Sequence, residues 1–158
     1  MTPTAINGQV RQRWRDAGRM AFLAAFEDSA TGTRVKEFAQ GLSRDLGPAC
    51  RIIEHVWLFN TFVLRELQEI AAEEAAASDL VVISMHEAGS IPEGVKGWIE
   101  LWLQKRSRHP AILMALLDAD YTSTAGPVEA YFHKMARQGG MQFLGGSGVV
   151  PDAHWQST

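Results

Sequence analysis

The chain has 158 residues, 46% of them hydrophobic and 21% charged, with a formal net charge of −3. That length suits one domain able to bury a core unaided, and the slightly acidic balance excludes a general nucleic-acid binder. The lone cysteine, Cys50, excludes an internal disulfide and a zinc cluster, and points to a reducing, cytoplasmic compartment.

Residues 1–19 carry Arg11, Arg13, Arg15 and Arg19 but no apolar block, so they are not a secretory signal. They read as a solvated N-terminal arm or short helix, with Trp14 as the anchor of any contact to an acidic partner. Residues 20–26 (MAFLAAF) form a short apolar run of the kind buried on both faces of a sheet. Residues 30–46 follow with a helical stripe of Val35, Phe38, Ala39 and Leu42, ended by Gly47-Pro48. A second strand is expected at 51–58 (RIIEHVWL), where Trp57 and then Phe59 divide between core and partner. A second helix is expected at 62–77, with Leu64, Leu67, Ile70 and Ala71 on its inner side.

The clearest buried strand is 79–85 (DLVVISM). A helix over 92–106 has Pro92 in its first turn and a stripe of Val95, Trp98, Ile99, Trp102 and Leu103. Trp98 and Trp102, four apart, are core or interface anchors. A fourth strand (111–117, AILMALL) leads to a helix over 124–138, in which Val128, Tyr131, Phe132 and Met135 share a face. A short strand at 141–144 precedes a Gly-rich tail at 145–158, poor material for a final helix. The longest apolar stretches, such as 112–117, fall far short of the about 20 residues that a membrane helix needs.

Strands alternating with helices imply a parallel sheet covered on both faces. The expected architecture over 20–144 is α/β: a doubly wound five-stranded parallel sheet of order 2-1-3-4-5, with the final helix missing. Ligands bind such sheets beyond the carboxyl ends of the strands, where the strand order reverses. The loops that meet there are 27–33, 86–91 (HEAGSI) and 118–126 (DADYTSTAG).

SATGT at 29–33 resembles the phosphate loop of flavodoxins, and the segment from Asp118 to Gly139 is similar to the family's stretch of Asp and Tyr leading into a helix. Asp118, Tyr121, Gly126, Val128, Glu129, Ala130, Lys134 and Gly139 fall in compatible places. DLVVISM followed by Ile91-Pro92 and a Trp-containing helix looks like the family's third strand and helix. The resemblance implies flavin mononucleotide (FMN) and electron transfer. Ser29, Thr31, Gly32 and Thr33 would take the phosphate at a helix N-terminus. Tyr121 would stack on the flavin, and Asp118 would meet its pyrimidine edge.

The chain departs from that pattern. The turn is one residue short, with Arg34 near the place of its last Thr. Glu27 and Asp28 set two carboxylates beside the proposed dianion. The other reading of SATGT is a helix cap, made by Ser29 or Thr31. Glu27-Asp28 also resembles the magnesium-holding pair of response-regulator receiver domains, which makes both residues candidate metal ligands. The receiver's acceptor Asp is replaced here by Met85-His86. Ser84 or Ser90 with His86 lacks a nucleophile elbow, so a hydrolase is not expected. The reading that results is a degenerate flavodoxin-like or receiver-like domain. It would act as a non-catalytic interaction or regulatory module and bind a protein partner or a second copy of itself. The alternative is an FMN-binding electron-transfer protein.

Overall fold

A computed structural model describes residues 6–86, 90–107, 109–118 and 126–145. The elements in chain order are α1 (Gly8–Ala17), β1 (Arg19–Phe26), α2 (Ser29–Leu46), β2 (Arg51–Leu58), a 3-10 turn (Phe59–Val63), α3 (Arg65–Ala76), β3 (Leu80–Ser84), α4 (Glu93–Lys105), β4 (Ile112–Leu116), α5 (Pro127–Gln138) and β5 (Gln142–Leu144). The five strands are all parallel, in the order β2-β1-β3-β4-β5, with helices on both faces. This is the expected doubly wound α/β sheet, and no helix follows β5 among the described residues. None of the described helices is long and apolar enough to cross a membrane.

Strands β3 and β4 are buried at every residue, as their unbroken apolar runs require. On one face, the 3-10 turn, α3, α4 and α5 cover the sheet. Stacked rings run from Trp57 through Phe62 and Trp98 to Trp102, with successive centroids 5.8, 4.8 and 5.6 Å apart. Trp98 and Trp102 are fully buried, so they are core residues.

Two details of this face differ from the sequence reading. The segment after β2 is not one helix. Phe59 and Phe62 are both buried, and a 3-10 turn places residues three apart on one side. The inner face of α3 is Gln68, Ala71, Ala72 and Ala75, while Leu64 and Ile70 are about half exposed. Small residues let α3 approach the bulky α4. Gln68 Nε2 donates to the carbonyl of Phe62 at 2.7 Å, and a Cβ at Gly97 would lie 2.9 Å from Gln68 Oε1. The larger side chains of α3 are left outside.

The opposite face is covered by α1 and α2. Of the two readings of the N-terminal segment, the short helix is the one found, and it is docked rather than solvated. Asn7 caps α1, Gly18 ends it in the left-handed conformation at φ 78°, and Ile6 and Trp14 are buried in the cluster formed by Phe22, Val35, Phe38 and Met114. Arg11 pairs with Asp45 of α2. Val10 and Trp14 border Ile112 and Gln142 at a small cavity, so α1 lies over the start of the β4–β5 side of this face.

Candidate functional site

The strand order reverses at β1, which pairs with β2 on one side and β3 on the other. Beyond the carboxyl ends of β1, β3 and β4, the side chains of Glu27, Asp28, Thr31, Arg34, His86 and Asp118 meet in one bonded cluster.

Helix α2 starts there because Asp28 caps it. The Asp28 carboxylate accepts from Thr31 N at 3.0 Å, and the Thr31 hydroxyl accepts from the backbone of Asp28 at 2.8 Å and of Glu27 at 2.9 Å. This reciprocal box makes Asp28 the N-cap, one residue before Ser29 and three before Thr31. Thr31 is fully buried, and its carbonyl accepts from the buried Ser84 hydroxyl at 2.9 Å. The Thr33 hydroxyl donates back to the Ser29 carbonyl at 3.0 Å. Gly32 lies against the Phe26 ring, where a Cβ would come within 2.9 Å of two ring carbons, so close packing is reason enough for glycine there.

His86 is the hub. Its Nδ1 lies 2.9 Å from Asp118 Oδ1 and its Nε2 lies 2.8 Å from Asp28 Oδ2. Its backbone N–H donates to Glu27 Oε1 at 3.0 Å. Arg34, one helical turn into α2, donates to the same Asp118 oxygen at 2.7 Å. Hydrogen bonds first to Asp118 and then to Asp28 raise the His86 pKa above the ordinary value of 6.5. Backbone donation from Thr31, followed by the bond to His86, lowers the pKa of Asp28. Both causes favour the charged forms, in which the ring has a donor on each nitrogen to match its two carboxylate neighbours. The His86 side chain is 35% exposed and that of Asp28 is 47% exposed, so water screens these pairs.

The structure thus brings together Glu27, Asp28, Thr31, His86 and Asp118, which the sequence had placed on converging loops. Tyr121 lies outside the described residues, as do 87–89 and 119–125. Glu27 and Asp28 turn to different donors, and no group of three or more His, Cys, Asp or Glu side chains among the described residues is arranged to hold a metal ion. The residue that sequence reasoning missed as part of the site is Arg34. Its signal was available: it is a cation one turn into a helix whose N-terminus faces the loop beginning at Asp118. In comparisons with known proteins, no family model matches this chain and no curated protein matches it significantly.

Proposed function

We propose that this domain is a non-catalytic interaction or regulatory module, a degenerate relative of the flavodoxin and receiver folds. Its charged rim of Glu27, Asp28, Arg34, His86 and Asp118 is the surface offered to a protein partner. One observation carries the reading: both ring nitrogens of His86 are taken by carboxylates, while the capping box occupies the start of α2. Among the described residues, the groups that would perform chemistry at a switch-point crevice are spent on one another. Ser84, a nucleophile buried beside them, is spent on the Thr31 carbonyl.

The sheet order and the place of residues 29–33 at the switch point favour a second reading, FMN-dependent electron transfer. That reading needs the phosphate to displace the Asp28 carboxylate from the first turn of α2, because both seek the same backbone donors. It also needs Asp118 to meet the flavin while holding Arg34 and His86. The test is a visible absorption spectrum of the purified protein, repeated after incubation with FMN and removal of the excess. The expected result is no retained flavin absorption. A retained flavin spectrum overturns the non-catalytic reading in favour of the redox one.

A further inference from the structure

Among the described residues, strand β2 is an edge strand, bonded to β1 alone. Natural edges are blunted by proline, lysine, bulges or a short length. This one has eight residues, RIIEHVWL, with neither proline nor lysine, and its register with β1 is unbroken from Arg51 to Leu58. Its side chains alternate. His55 and Trp57 face α3, where both meet Glu74. Ile52, Glu54 and Val56 face the other way, into a groove of about 670 Å³ between β2 and α2, and by the strand's two-residue period Leu58 follows them. Val56 is 48% exposed and Leu58 38%.

We infer that this edge is where a second copy of the chain binds, by antiparallel pairing of β2 with itself across a twofold axis through His55. The argument is self-complementarity. A twofold axis normal to the sheet keeps each face on its own side, so residues of like parity oppose each other. With the axis at His55, Ile52 faces Leu58 of the second copy, Ile53 faces its Trp57, and Glu54 faces its Val56. The paired stretch takes in nearly all of β2, and no two like carboxylates meet. The two His55 rings meet on the opposite face, each with its own Glu74 carboxylate 3.5 Å away. An axis at Glu54 would oppose two carboxylates, which is unfavourable. An axis at Ile53 or Val56 would leave more of the strand unpaired and would set Glu54 against Ile52 or Leu58.

This inference stands apart from the crevice reading, since none of its residues belongs to the His86 cluster. The register makes a signed prediction at Val56, which opposes Glu54 twice in the dimer. Sedimentation velocity over a concentration series of the full chain should show a monomer–dimer equilibrium. Val56→Glu should weaken the dimer by about tenfold through carboxylate repulsion, and Val56→Lys should tighten it. Combining Glu54→Lys with Val56→Glu should restore it. Circular dichroism of each variant checks that it folds, which the exposure of Val56 favours. A wild-type chain that stays monomeric to millimolar concentration overturns the proposal. So does a dimer that responds alike to both charges at Val56.

Discussion

The two faces of the sheet are covered unequally. Three helices and a 3-10 turn cover one face, and their aromatic rings stack from the edge strand inward. Among the described residues, two helices cover the other, and a groove opens beside β2 where they fall short. Each helix can seal only a strip about 10 Å wide, so five strands need more than two helices for full cover. On the thinner face α1, placed before the first strand, supplies Trp14 and, from just ahead of it, Ile6. The lesson is that helix count per face decides where a doubly wound domain leaves apolar surface open.

The largest effect that would sharpen this contrast is on stability. Trp98→Ala should cost about 3–5 kcal/mol in denaturant unfolding, because it empties the middle of the ring stack. Trp14→Ala should cost less, about 3 kcal/mol, since Trp14 is 5% exposed where Trp98 is fully buried. Equal losses would break the contrast and make α1 as integral to the core as α4.

A smaller effect belongs to the crevice. Thr31→Val keeps the shape of the side chain but leaves the Asp28 amide without its acceptor and the Glu27 amide with the Ser84 carbonyl at 3.2 Å alone, at a cost of about 1–3 kcal/mol. A neutral result would mean that water replaces the hydroxyl and that the capping box is dispensable.

The smallest effect is on pH dependence. The folded pKa of His86 is raised, so its contribution to stability is fully present below the ordinary value of 6.5 and is lost as pH rises through the folded value. The folded pKa of Asp28 is lowered, so its contribution is present above the ordinary value of 3.8 and is lost as pH falls through the folded value. Thermal melts should therefore show stability declining on the alkaline side of 6.5, with a shallower decline in His86→Gln. Parallel curves for the two proteins would show that the ring's proton is not held by the two carboxylates.

Much of the fold was legible in the sequence. The short, continuous apolar runs at 20–26, 79–85 and 111–117 are typical of strands buried on both faces, and strands stand there. The stripes of α2, α4 and α5 came out as the spacing predicts, with Val35, Phe38 and Leu42, then Val95, Trp98, Ile99 and Trp102, then Val128, Phe132 and Met135 buried, and with Ala39, Leu103 and Tyr131 partly buried against them. The stripe of α3 did not. Counting large apolar residues selects Leu64 and Ile70, whereas close packing beside Trp98 selected alanines. Apolar content measures the value of burial, but which face is buried depends on the shape of the neighbour.

The candidate site divides in the same way. That residues 27–33, His86 and Asp118 converge follows from strand order alone. Who bonds to whom does not, because Arg34 and Asp118 are 84 residues apart and Asp28 and His86 are 58 apart. The sequence by itself determined the parallel strands, their order and the crevice end, because periodicity and right-handed crossovers are local and chiral constraints. Only the tertiary structure decided that α1 docks on the thin face, that Asp28 rather than Ser29 or Thr31 caps α2, and that His86 sits between two carboxylates. Those outcomes rest on distances between segments remote in the chain, which no local pattern encodes.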